Sequence, residues 1–404
     1  VKRQKKLSIG LIWSQFAAYH VDRCEAVARR FEGRAEVAAI EVATTSTDYA
    51  WEPSGGVAGA RKITLFPGRS FDSIAALRRF VALLRATRHC DVVCIGLSYG
   101  LADAILLSWT LRLMGKRVIV FSESKFDDCQ RSVWFEAAKA VVLRCYTGAI
   151  VGGRRHIDYF RFLRFGDRPL YPGYDSVGLA RIREQGGGVL APQGPDFETR
   201  PFIFVGRFVG KKNLPTLLEA YARYRSLAGA GARRLVLIGS GDEEPLLRRM
   251  GGDLGLADWV DFPGFLSASA VSRALSEAIA LVLPSREEQW GLVVNEALAF
   301  GLPVIVTNEV GSRDLLVRNL LNGFVCESNC ADSLARAMLA CASDRERWTE
   351  LVSHSHERAW MGDADRLADA LELVLDPACA EPASRVAALM NELELPPLMK
   401  VART

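Results

Sequence analysis

Leu281 to Val306, LVLPSREEQWGLVVNEALAFGLPVIV, reads as strand, polar loop, helix and second strand. Short apolar runs alternate with a helical pattern here, the signature of a parallel α/β layer. The loop ends in Gly291 and opens directly into a helix, so the first backbone N–H groups, at Gly291 and Leu292, have no intrahelical partner. Together with the positive end of the helix dipole they form a seat for a phosphate or diphosphate. Glu288 on the loop and Glu296, about a turn and a half into the helix, put one carboxylate on each side of that seat. Carboxylates read hydroxyl groups, and an anion flanked by two polyols is the outline of a nucleotide sugar.

A second stretch calls for the same ligand. FIFVGRFVGKKN, Phe202 to Asn213, is an apolar strand that runs through Gly206 into a basic loop with Arg207 and Lys212. In open α/β sheets ligands bind outside the carboxyl ends of strands. Lys211 is the adjacent charge and is expected to face solvent. Between the two stretches, Leu235 to Ile238 reads as a buried strand followed by Gly239, Ser240, Gly241 and Asp242. Gly241 suits a tight turn, and Asp242 reads as the N-cap of the next helix. VDFPG, residues 260–264, is one more strand-like element, followed by Phe265 and Leu266.

These residues resemble the retaining glycosyltransferases of family 4, with their E-x7-E signature and G-R-x-x-x-x-K loop. The resemblance implies an α/β GT-B fold: two Rossmann-like domains facing across a cleft, with a C-terminal helix crossing back to the first. It implies that Glu288, Arg207 and Lys212 act on the reacting sugar and diphosphate. Donor binding would fall to Glu296 on the ribose, with Gly206, Gly241, Gly291 and Leu292 at the phosphates and Phe265 at the base. The activity implied is retaining transfer of a hexose-type sugar from a nucleotide diphosphate sugar to a hydroxyl of a glycan or lipid-linked acceptor, as in cell-surface polysaccharide synthesis. The donor is a co-substrate; no cofactor and no metal are expected. Gly311 and Ser312 stand where the family has two glycines, and Ser312 reads as a helix cap. A sugar-nucleotide epimerase or hydrolase of the same fold, or a non-catalytic binding protein, are the competing readings.

The first half of the chain is less explicit. His20 and Asp22 fall at the start of a helix after the first strand, and His20 is a candidate for acceptor contact or for a bond to its own backbone. After the strand RVIVF comes SESKFDD, where family members often carry a histidine; Glu123 is the candidate to stand in for it. YPGYDSV, Tyr171 to Val177, is read as either site or packing.

A chain of 404 residues holds two domains of ordinary size. The reading places the first at 1–186, a Gly- and Pro-rich linker at 187–200, and the second at 201–355. A helix over 356–376 returns to the first domain, and 377–404 is a tail in which VAALMNELEL reads as a short helix. Residues 1–200 hold 30 Lys+Arg against 20 Asp+Glu, so the overall +4 is concentrated in the first half. That surplus suits an anionic acceptor or peripheral contact with an anionic membrane, and nothing in it asks for nucleic acid. The basic start, Lys2, Arg3, Lys5 and Lys6, precedes an apolar run too short to span a bilayer, and the helix over Ala102 to Met114 is a candidate to touch lipid. The expected location is cytoplasmic. Nine scattered cysteines read as reduced buried thiols, and the pairs Cys90/Cys94 and Cys326/Cys330 lack a convincing histidine set for zinc. Asp363-Ala364-Asp365 imitates a metal-binding D-x-D but sits where aspartates cap a helix.

Overall fold

The structure is a computed structural model that describes residues 6–46, 54–128 and 130–394. Lys2, Arg3 and Lys5 therefore lie outside the described residues, as does Leu395 at the end of VAALMNELEL. The chain divides into two compact units. Of the described residues, one holds those up to Gly178 together with Ala364–Asn391, and the other holds Leu179–Asp363 with those from Glu392 to Glu394. The chain passes from the first to the second between Gly178 and Leu179, ahead of the 187–200 stretch read as a linker. It returns between Asp363 and Ala364.

Unit 1 is built on seven parallel strands: β1 (Leu7–Trp13), β2 (Ala35–Thr45), β3 (Arg61–Ser70), β4 (Val92–Ile95), β5 (Arg117–Ser122), β6 (Gly148–Val151) and β7 (Leu170–Pro172). Their order is β3-β2-β1-β4-β5-β6-β7. The inner strands are apolar on both faces because helices cover both sides, as the continuous burial of VVCI and GAIV shows. Helix Asp365–Leu375, from the far end of the sequence, completes this core. Leu367, Ala368, Leu371 and Val374 pack with Ile9, Leu11, Val27, Ile119 and Ile150. Its polar edge is fixed by ions: Asp369 meets Arg30 at 2.6 Å and Arg385 at 2.7 Å, and Glu372 meets Arg34 at 2.7 Å. Arg385 lies on helix Ala380–Glu394, which is longer than the short helix expected in the tail.

Unit 2 has six parallel strands: β8 (Phe202–Val205), β9 (Leu235–Ile238), β10 (Val260–Gly264), β11 (Ala280–Leu283), β12 (Val304–Thr307) and β13 (Gly323–Cys326). The order is β10-β9-β8-β11-β12-β13. Successive strands run outward from β8 on one side and outward from β11 on the other. The β8–β11 junction is thus the point where the strand order reverses, the place where such sheets bind ligands at their carboxyl ends. The corresponding reversal in unit 1 falls between β1 and β4.

Among the described residues no helix is long and apolar enough to cross a membrane, and no cluster of His, Cys, Asp and Glu is arranged to hold a metal ion. Of the eight described cysteines, six are buried. Burial raises the Cys24 and Cys94 thiols well above their ordinary range.

Candidate functional site

The loops that follow β8 and β11 are stitched together at the strand-order reversal. Lys212 Nζ donates to Glu288 Oε2, and the two side chains are mostly buried. Ser285 Oγ donates to the same oxygen at 3.0 Å. Asn213 holds the left-handed conformation at φ 58°, one that asparagine tolerates better than most residues. Its amide donates to the Pro284 carbonyl at 3.2 Å, and its Oδ1 accepts from Arg286 Nε at 2.8 Å. The Arg286 N–H donates to the Lys211 carbonyl at 2.8 Å. Lys211 itself is exposed, and so is Arg207. Arg207, Lys212 and Glu288 therefore sit on two loops that cannot move apart without breaking several hydrogen bonds.

The loop Ser285–Leu292 is held from its other side by the segment after β12. The Gly311 N–H donates to the Glu288 carbonyl at 3.2 Å, and the Ser312 N–H donates to the Trp290 carbonyl at 3.0 Å. Gly291 turns the chain with φ 91°, and a Cβ there would lie 2.9 Å from Leu283 Cδ2. Only glycine accommodates both constraints. Helix Val293–Ala299 begins immediately after, so Glu296 is its fourth residue and belongs to the first turn. That is closer to the N-terminal end than the turn and a half expected, because the helix starts at Val293 and not at the glycine. Glu296 is half-buried.

The third wall is the β9 loop. The Gly206 N–H donates to the Ile238 carbonyl at 3.0 Å, Phe208 N–H to Ser240 at 2.9 Å, and Glu243 N–H to Phe208 at 3.1 Å. Gly239 and Gly241 allow this backbone-on-backbone approach. Asp242 does not cap the next helix. That helix, Glu244–Asp253, has Glu243 at its cap position and a proline in its first turn, and Asp242 is exposed on the turn before it. Phe265, assigned to the base, is 70% exposed beyond β10, an open ring of the kind that stacks on a flat ligand. Ser312 also caps nothing. It is buried at the short helical turn Gly311–Asp314, and its hydroxyl has no hydrogen-bond partner among the described residues.

A residue that the sequence reading passed over anchors the helix of Glu296. Asn295 is fully buried, its Oδ1 accepting from Trp290 Nε1 at 2.9 Å and its Nδ2 donating to the Gly362 carbonyl at 3.1 Å. An asparagine amid an apolar helical run was the available signal. Asn295→Leu should cost about 1–3 kcal/mol in thermal or urea unfolding, because it strands an indole N–H and a carbonyl.

In unit 1, His20 is buried at the start of helix Ala18–Arg30, and its Nδ1 accepts from the Ala17 N–H at 2.9 Å. Burial, with Arg23 adding to it, holds its pKa well below the usual imidazole range. It packs on Tyr19 and Trp13 at 4.2 and 5.0 Å between ring centroids. His156 repeats the device, accepting from the Gly153 N–H at 2.9 Å. Glu123 is half-buried after β5, and its charge acts on Asp175 of the YPGYDSV segment. Burial, then the charge of Glu123, pushes the Asp175 carboxyl well above the usual carboxylate range. Arg23 lies beneath, its Nε donating to the Ser176 carbonyl at 2.9 Å and its guanidinium 3.9 Å from Asp175. Asp175 and Arg23 were not singled out from the sequence.

The family model for glycosyl transferases group 1 matches residues 192–358. The lipopolysaccharide core biosynthesis glycosyltransferase LpsE of Rhizobium meliloti is 31% identical over 153 residues, 38% of this chain and 42% of that protein. This and three further curated relatives are matched over between 34% and 46% of their own length. Among solved structures, the sucrose-phosphate synthase of Thermosynechococcus elongatus aligns with a TM-score of 0.67 at 18% identity, covering 92% of this chain and 99% of that one. HepE of Anabaena, in complex with UDP and glucose, aligns with a TM-score of 0.67 at 14% identity, covering 92% and 100%. At such identities the likeness carries the fold, two Rossmann-like units of the GT-B kind. The match to the family model for glycosyl transferases group 1 thus spans the whole of the second sheet and the loops around Lys212 and Glu288.

Proposed function

We propose that this protein transfers a hexose-type sugar, with retention and without a metal ion, from a nucleotide diphosphate sugar to a hydroxyl of a glycan or lipid-linked acceptor. The observation that carries the reading is the Lys212–Glu288 contact between the β8 and β11 loops, at the reversal of strand order in unit 2. It joins a phosphate-seeking cation and a hydroxyl-reading carboxylate at the one end of the sheet suited to a ligand. An ammonium group has three donors, so Lys212 can keep Glu288 and still meet diphosphate oxygens. Arg207, exposed on the same loop, is assigned the second phosphate contact. The N–H groups of Gly291 and Leu292 add dipolar stabilisation as negative charge builds on the leaving diphosphate.

Glu288 is assigned the sugar hydroxyls, Glu296 the ribose and Phe265 the base, with Gly206 and Gly241 giving the backbone room to approach the phosphates. Three positive elements already face the diphosphate in this reading, so no divalent ion is invoked. The acceptor is assigned to unit 1, with Glu123 beside Asp175 as its candidate polar contact and His20, held to the backbone, as a wall residue. The location proposed is the cytoplasm, with peripheral contact at the inner face of the membrane. HepE, of the same fold, is solved with UDP-glucose, which makes a UDP-sugar the first donor to try.

The test is calorimetric binding to a panel of UDP-, GDP-, ADP- and TDP-sugars, with wild type beside Arg207→Ala. One sugar nucleotide is expected to bind and to lose at least about tenfold in affinity in the variant. Equal binding in both would remove Arg207 from the diphosphate, and hydrolysis or epimerisation of the bound sugar without transfer would favour the competing enzyme class.

A further inference from the structure

Helix Val133–Val142 is turned inside out. Its sequence, VWFEAAKAVV, contains one acid, and that acid is its one buried residue. Glu136 accepts from Tyr159 Oη at 2.5 Å and from Lys139 Nζ at 2.9 Å, with Arg131 at 3.5 Å. The apolar side chains point the other way: Val133, Trp134 and Phe135 are 81%, 86% and 65% exposed. Val141 is exposed on the same helix, and Phe126 and Phe162, with ring centroids 5.4 Å apart, extend the face. A helix that packs on a water-soluble core shows the reverse arrangement.

The exposure is concentrated. Of the sixteen large hydrophobic residues exposed among the described residues, ten lie between Leu106 and Phe162. Single exposed apolar residues need no explanation, but a contiguous set does. Helix Ala102–Leu113 also exposes Leu106, Trp109 and Leu113, and its buried Ser108 Oγ donates to Tyr146 Oη, four residues past the inverted helix, at 2.9 Å.

Charge decides what covers this face. Its rim is mainly basic: Arg144 is exposed just past the helix, and Arg161 and Arg164 flank Phe162, with Asp158 pairing Arg161 at 3.8 Å; Lys139, spent on Glu136, lies 5.0 Å from the Phe135 ring. Residues 102–168 hold twelve Lys+Arg against seven Asp+Glu, and Glu136, the helix's only acid, is turned inward. A second copy docked on the same patch would set basic rim against basic rim. Bulky aromatics with a basic border match the acyl boundary and phosphate layer of an anionic bilayer.

We propose that the face centred on Trp134 and Phe135 docks unit 1 onto an anionic lipid surface. This rests on the peripheral contact proposed above and gives it a location, and it uses none of the donor-site residues. Vesicle binding and donor binding can therefore fail separately.

The test is flotation of the full chain with vesicles of phosphatidylglycerol and phosphatidylcholine in equal parts, and with phosphatidylcholine alone. Wild type should float with the anionic vesicles and much less with the neutral ones. The double variant Trp134→Ser/Phe135→Ser should lose about tenfold or more of this partitioning. Leu77→Ser, an exposed apolar residue elsewhere on unit 1, should lose none. A circular-dichroism melt and donor binding check that the double variant is folded. Absence of wild-type flotation, or equal flotation of wild type and double variant, overturns the proposal. So does a dimer in sedimentation that the double variant abolishes while vesicle binding stays absent.

Discussion

Lys212→Ala should lower turnover of the donor identified by the binding panel at least about 10²–10³-fold. Lys212 stands on the β8 loop with its ammonium on Glu288, at the reversal of strand order. Its removal takes a cation from the leaving diphosphate and also frees the carboxylate assigned to the sugar, so one substitution disturbs two groups. For the same reason Glu288→Gln should fall by a comparable factor, and the double variant should be scarcely worse than either single one. Stability should change much less, by about 1–2 kcal/mol, since Glu288 keeps the Ser285 hydroxyl at 3.0 Å and some access to water. Steady-state kinetics beside a thermal melt separates the two effects. Undiminished turnover in Lys212→Ala would discard the site assignment.

Gly239→Ala should be among the most damaging single substitutions to the fold of unit 2. The residue has φ 136°, and an added Cβ would lie 1.9 Å from the Gly206 carbonyl oxygen and 2.9 Å from its carbon. The obstacle is backbone, so no rotamer change relieves it, and overpacking adds to a backbone conformation that alanine disfavours. A loss of about 3–5 kcal/mol is expected, which lowers the melting temperature by roughly 10 °C in a unit of this size. Gly206 leads into Arg207, so donor binding should weaken with it. Gly187→Ala is the control: it too has positive φ, at 84°, but no described atom lies within 4 Å of its Cβ. It should cost only about 1–2 kcal/mol. If the two variants melt alike, the close approach of the β8 and β9 loops is not what the glycine serves.

The second sheet was readable in the sequence because its constraints are local. FIFV, LVLI, ALVL and VIVT are short apolar runs bounded by glycine or proline, and each is a strand buried between helices. Lys212 and Glu288 were legible as types at the ends of such runs, but their meeting was not, since it depends on β8 and β11 being neighbours. Helix starts were read less well. Asp242 has the right chemistry for a cap, yet of the two N–H groups it would take, that of Glu244 already donates to the Gly241 carbonyl and Pro245 has none. Asn295 and Asp175 are buried polar groups whose partners lie 67 residues away at Gly362 and 52 residues away at Glu123, and no spacing rule connects them. The inverted helix escaped for a related reason. VWFEAAKAVV reads as a core helix, and only its inward Glu136, satisfied by Tyr159 and Lys139, shows which side faces out.

The return of Ala364–Asn391 to unit 1 sets an order of events for the nascent chain. The first sheet leaves the ribosome long before helix Asp365–Leu375, whose Leu367, Leu371 and Val374 close the core around Ile9, Ile119 and Ile150. Until then that apolar surface is uncovered while all six strands of unit 2 are being made and can pair. The N-terminal half is thus translated first and finished last, and a ribosome stalled before residue 364 would hold a chain whose second-unit strands are all made while its first core is still open.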